Sequence, residues 1–313
     1  MQLSHKNKAV MQALLVTLLW SSSWVLIKLT IDEIPPLTFA GLRYSIAFIV
    51  LLPGLIKQRE AVQKLKKQDW GMLLMLGLVY YAFTQGGQFL SLKYLDAITL
   101  SLMLNFSAPL VALIGLFILN EPVSKLQWSG LIIFLLGVVI YFFPQTSLPK
   151  SVLGLTLGVF TVLSNSVASV LGRWINRQKS LDPLIVTAIS MGFGAMILLG
   201  SGAAFQGLPP LSTRSWLIMT WLAVVNTALA FWLWNKSLQV LTAMESSIIN
   251  NTMLVQISLL AWLFLDESLT WVGAAGLAVA SIGTVLVNLK PRGNIPIPSE
   301  EGSSKLSEEE SPT

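Results

Sequence analysis

The side chains able to do chemistry in this sequence are amides, hydroxyls and cations set inside apolar runs. Trp20, Trp24 and Lys28 recur at i, i+4 and i+8, which puts a cationic head and two indole rings on one helix face. That face suits a carboxylate or an aromatic solute; in the plainer alternative Lys28 snorkels to the headgroups above two packed tryptophans. Tyr81, Gln85 and Gln88 make a second stripe at i, i+4 and i+7, with donors and acceptors for an uncharged polar or zwitterionic solute. Ser101 with Asn105, and Ser247 with Asn251, repeat one i, i+4 pair at two places, and Asn250 adjoins the second. Asn165 and Asn226 are single amides in apolar surroundings. Leaving such groups against hydrocarbon is costly, so each is expected to face the bundle interior. There it either lines a wet route for solute or bonds a neighbouring helix, a bond worth only about 0.6 kcal/mol on average in membranes.

The charged residues in or near these runs read as structural. Arg43 lies about 10 Å into its helix at 1.5 Å per residue, within reach of the interface or of a carboxylate partner. Glu121 and Glu267 follow apolar runs, where a carboxylate at a helix C-terminus is disfavoured by the dipole, so each is expected to cap a following helix or hold a cation. Glu245 completes a Thr242-Ala-Met-Glu245 capping box and gives no support to proton coupling. Cysteine is absent and His5 is the only histidine, in the N-terminal tail, so the spans hold neither a thiolate nor a His metal cluster. No G-x-x-x-x-G-K-[ST] motif occurs, which argues against ATP drive. No metal or cofactor is implied. An intramembrane enzyme is the weaker alternative, lacking a carboxylate dyad or a base–orienter set, and a non-transporting receptor or scaffold is a third.

The elements that must position these groups are membrane helices. The chain has 313 residues, 54% hydrophobic and 11% charged, with mean hydropathy +0.71; soluble chains carry roughly a quarter charged residues. A span needs about 20 mostly apolar residues. Such runs fall at residues 9–29, 38–56, 71–90, 97–119, 127–143, 152–172, 183–203, 216–234, 243–265 and 271–289, which predicts an all-α protein of ten transmembrane helices. The third and eighth are the weakest, being interrupted by Gln85, Gln88 and Asn226. Residues 1–8 form an N-terminal tail, and 291–313 a Pro/Ser/Glu-rich segment expected to be disordered. With the N-terminus placed in the cytoplasm, Lys and Arg between spans divide fifteen inside to three outside, so both termini are expected there. The same dispersal assigns the +5 net charge to orientation and not to a nucleic-acid partner.

Residues 9–143 and 152–289 resemble each other at an offset of 146. Asn105 meets Asn251, Glu121 meets Glu267, Ser101 meets Ser247, and Gly130 and Gly137 meet Gly276 and Gly283. Five spans per unit is an odd number, so the second unit enters from the opposite face, the inverted repeat of secondary transporters. The stretch LNEPVSKLQWSGLIIFLLGVVIYF (Leu119–Phe142), its second copy LDESLTWVGAAGLAVASIGTVLV (Leu265–Val287), LLWSSSWVLIK (Leu18–Lys28) and LRYSIAF (Leu42–Phe48) resemble the EamA-type transporters of the drug/metabolite superfamily. The resemblance spans about residues 9–290, with departures where Pro109 faces Val255 and Pro122 faces Ser268. It implies ten helices, cytoplasmic termini and alternating-access movement of amino acids, metabolites or drugs. The expected partners are a small-molecule substrate and the lipid bilayer. The small faces of Gly130, Gly137, Gly273, Gly276, Ala280 and Gly283 suit close packing, within the chain or in a homodimer.

Overall fold

Prolines and short hydroxyl or carboxylate caps set where the helices begin. The computed structural model describes residues 5–28, 34–91, 93–95, 100, 103–142, 151–178, 181–264 and 270–288, and every regular element among them is helical. Ser101, Glu267, the segment 291–313 and the side chains of Trp24 and Lys28 lie outside the described residues. Helix α1 runs His5–Lys28. Helix α2 (Pro36–Lys57) starts on Pro36, whose missing N–H costs nothing in a first turn. A short α3 (Arg59–Gln63) leads into a continuous rod of α4 (Lys67–Leu76), a π-helical segment (Gly77–Gln85) and α5 (Gly86–Ser91). Helices α6 (Ser107–Ile118) and α7 (Lys125–Phe142) close the first half.

The second half repeats this order. Helix α8 (Val152–Arg177) is capped by Ser151, and α9 (Pro183–Phe205) combines Pro183 in its first turn with Asp182 accepting from the Leu184 N–H. A second rod follows: α10 (Thr213–Ala223), a π-helical segment (Val224–Leu229) and α11 (Ala230–Leu238). Helices α12 (Ala243–Asn251), α13 (Met253–Phe264) and α14 (Trp271–Asn288) end the described fold. Shifted by 146 residues, the first π segment overlies the second, α2 overlies α9, and α7 overlies α14.

Equivalent helices of the two halves pack on each other. A Cβ on Gly41 of α2 would lie 2.5 Å from Leu199 of α9, and one on Gly202 would lie 2.7 Å from Thr38, so residue numbers rise on one helix as they fall on the other. The α7–α14 pair does the same: a Cβ on Gly130 would meet Gly283 O at 2.9 Å and one on Gly276 would meet Tyr141 N at 2.5 Å. Both pairs are antiparallel. The small faces of α7 and α14 are occupied by each other, within one chain.

Among the described residues four helices are long and apolar enough to cross a membrane: Pro36–Lys57, Val152–Arg177, Pro183–Phe205 and the rod Thr213–Leu238. Met103–Ile118, Lys125–Tyr141 and Trp271–Val287 are shorter apolar helices. Helix α1 has 24 residues but begins on His5, Lys6, Asn7 and Lys8 and carries three consecutive serines, which lowers its hydropathy. Large apolar side chains such as Ile49, Phe117, Ile132, Leu163 and Leu217 are exposed on the outside, a surface suited to lipid and not to water.

Candidate solute site

The helices around the molecular centre are irregular at matching places in the two halves. In each π segment a threonine hydroxyl donates to a carbonyl five residues earlier: Thr84 Oγ1 to Val79 O and Thr227 Oγ1 to Leu222 O, both at 2.8 Å. The helix is also interrupted at Phe106 and at Thr252, which are 146 residues apart. At each break an i−3 bond replaces the regular one, Phe106 N–H to Met103 O at 3.0 Å and Thr252 N–H to Ile249 O at 3.1 Å. Widened and broken turns free backbone groups, and such turns concentrate at functional sites.

Several of the sequence-predicted amides are held in helix contacts. Asn251 Nδ2 donates to the Asn105 carbonyl at 3.1 Å, a bond between residues 146 apart that joins the halves where their broken helices meet. Asn226 is fully buried, and its Nδ2 donates to Leu19 O and, at 2.9 Å, to Ser22 Oγ, tying the second rod to α1. Tyr81 is also fully buried, with ring centroids 5.4 Å from Tyr44 and 5.1 Å from Phe231. Its stripe with Gln85 and Gln88 is therefore divided, the tyrosine in the packed core and the two amides only half-buried.

A second group stays accessible. Gln85 lies two residues from the exposed Phe83, so on the opposite side of its helix, and Gln88 follows one turn on. Asn165 lies two residues from each of the exposed Leu163 and Val167, in the middle of the inward face of α8, yet it is half-buried and not sealed. Ser247 and Asn250 lie on α12, where Asn250 alone is half-buried among neighbours that are all buried. Trp20 is partly buried against Phe231 and Trp234, at 4.9 and 5.2 Å between centroids, and its Nε1 has no hydrogen-bond partner among the described residues.

Among the described residues Arg43 meets no carboxylate. It is 6% exposed, and its Nε donates to Thr227 Oγ1 at 2.6 Å. Thr227 and Ser23, which also meets the guanidinium, were not singled out in the sequence; only the widened turn makes that threonine a partner.

At the end of the bundle that carries the N-terminus, two carboxylates hold the central helices together. Glu121 accepts from Arg173 Nε at 2.8 Å and from the Ala243 N–H at 2.9 Å. It holds a cation as expected, but the helix it caps is α12 of the other half and not the α7 that follows it. The reason is spatial: the start of α12 packs against the end of α6. Arg177 adds a longer contact to Glu121 at 3.9 Å. Glu245 makes the capping box with Thr242, its backbone N–H donating to Thr242 Oγ1 at 3.2 Å, and its carboxylate also pairs with Lys6 of α1. A small, shallow cleft lies beside Glu121, lined by Val111, Gln127 and Met244 among others.

A doubled helical unit, an apolar exterior and polar groups turned inward define a membrane protein of transporter type. The EamA-like transporter family model matches residues 7–143 and again 152–289, and the chain belongs to that family. Its members are transporters and not enzymes. An uncharacterized transporter of Bacillus subtilis, YoaV, is 26% identical over 84% of this chain and 90% of its own length. A probable amino-acid metabolite efflux pump of Salmonella typhimurium is 24% identical over 72% of this chain and 76% of its own. An S-adenosylmethionine/S-adenosylhomocysteine transporter of Chlamydia muridarum is 25% identical over 83% and 85%. A solved crystal structure at 19% identity shares the fold with a TM-score of 0.77, covering 92% of this chain and 100% of that one.

Proposed function

We propose that this protein moves a small zwitterionic or amphiphilic metabolite, an amino acid or a close relative, across the cytoplasmic membrane by alternating access, in the direction of export. The working architecture is ten spans in two inverted five-helix units with both termini in the cytoplasm. Support for the inversion comes from the antiparallel pairing of equivalent helices, and support for the orientation from the distribution of Lys and Arg.

One observation carries the site. Gln85, Gln88, Asn165 and Asn250 are half-buried amides, and no hydrogen bond of their side chains occurs among the described residues. In a membrane an amide left without a protein partner is tolerable only where water or solute meets it. With Trp20 and Ser247 they form the proposed lining; Trp24, Lys28 and Ser101 extend it by their positions on the same helices. Two relatives are named for amino-acid metabolites and for S-adenosylmethionine, which itself ends in an amino-acid group.

The test is efflux of labelled amino acids from liposomes containing the purified chain. Unaltered solute leaving faster than from protein-free vesicles is the expected result. Chemically changed solute would point to an enzyme, and binding without flux to a receptor.

A further inference from the structure

The junction of α1, α2 and the second π segment contains a charge that no carboxylate among the described residues answers. Arg43 Nε bonds the Thr227 hydroxyl at 2.6 Å, while Nη2 reaches only Ser23 Oγ and the Asn226 carbonyl, each at 3.4 Å. Charge-assisted bonds from a guanidinium normally close to about 2.7–2.9 Å. All three acceptors are neutral, and among the described residues no carboxylate pairs with Arg43. A cation this deeply buried is normally paired.

Two more groups in the same place are incomplete. Among the described residues the buried Trp20 Nε1 has no acceptor and the buried Asn226 Oδ1 no donor. They lie within a helical turn of Arg43's partners, Trp20 three residues before Ser23 and Asn226 next to Thr227. Around them stand Phe231, Tyr44 and Tyr81, an aromatic wall continuous with the Trp20 ring. Holding helices together does not explain the charge. The Asn226 amide already ties α1 to the second rod, and a neutral side chain at position 43 would serve Thr227 as well.

We propose that Arg43 is the anchor for a carboxylate on the transported solute, with the Trp20 indole N–H as the second donor and Asn226 Oδ1 as acceptor for the solute's ammonium. The inference rests on the transport reading for its biological meaning, but not for its test. The junction lies in the half of the bundle away from the Glu121 and Glu245 ion pairs, so an anion would reach it from the end opposite the N-terminus.

The measurement is thermal melting of the purified full-length chain with benzoate, benzamide or inorganic phosphate at equal concentration and ionic strength. Benzoate is expected to raise the melting temperature of the native protein and benzamide is not. Arg43→Gln should lose the benzoate shift, and Arg43→Lys should keep a smaller one, because an ammonium retains the charge without the fork. If Arg43→Gln does not fold, Trp20→Phe keeps the ring, removes the N–H and should weaken the shift. An equal benzoate shift in the Gln variant, no shift in the native protein, or a larger shift with phosphate than with benzoate would each overturn the proposal. Efflux without a benzoate shift removes the anchor and leaves transport standing; a benzoate shift without efflux does the reverse.

Discussion

Asn251 and Asn165 are chemically the same side chain in comparably apolar surroundings, and what separates them is the partner each amide meets. Asn251 donates to Asn105 O across the two halves, whereas the half-buried Asn165 amide makes no side-chain hydrogen bond among the described residues. Asn251→Ala should cost about 0.6 kcal/mol, a small fall in melting temperature with solute efflux retained. Asn165→Ala should leave melting unchanged and lower efflux about fivefold, the worth of one hydrogen bond near 1 kcal/mol. The opposite pattern would reassign both residues. Their presence in apolar runs was legible in the sequence, because a polar residue there is unusual whatever the fold. Their roles were not, since a carbonyl 146 residues away becomes a partner only once the halves are assembled. Arg43 shows the same limit: its depth was readable from spacing, but its neutral neighbours were supplied by a widened turn on another helix.

Helix type was harder to read than helix existence. Apolar runs located the helices, and the repeat located their equivalents, because burial against lipid demands length and apolarity above all. The π segments left only an indirect trace, in that the third and eighth runs were the weakest; the first of them packs so closely on α9 that a Cβ on Gly194 would lie 2.2 Å from Tyr81 Cβ and 2.8 Å from Gly77 O. The small faces of α7 and α14 carry a direct prediction. A side chain at Gly137 would collide with the backbone of Ala280 and Gly276, not with a flexible tip. Gly137→Val should therefore destabilise the bundle by about 1–3 kcal/mol, read as a lower melting temperature. Gly200→Val, where nothing lies within 4 Å, is the control expected to melt like the native chain. The Glu121–Arg173 pair is a second case, with side chains only 13% and 9% exposed. Glu121→Ala or Arg173→Ala alone should cost about 3 kcal/mol, and the double variant less than their sum, because each single change strands a charge that the double removes.

On the scale of the whole molecule, the ion pairs and the half-buried amides occupy different levels of one bundle, and the proposed alternating access requires that they be coupled. Glu121 bridges the end of α6 to α8 and α12, and Lys6–Glu245 bridges α1 to α12. The proposed lining residues Trp20, Asn165 and Asn250 sit on α1, α8 and α12. Opening the N-terminal end must break these contacts, so their strength biases which side the amides face. The absence of cysteine makes this measurable without first clearing the background. A single Asn165→Cys should react with a small polar thiol reagent applied to one side of a sealed membrane, and Tyr81→Cys, replacing a fully buried ring, should not. Adding Glu121→Gln and Glu245→Gln to the Asn165→Cys chain should raise its labelling from the side bearing the N-terminus, since both locks weaken together. Unchanged labelling from that side would mean that these ion pairs hold the fold but do not gate it, and the conformational balance would then rest on the antiparallel glycine contacts instead.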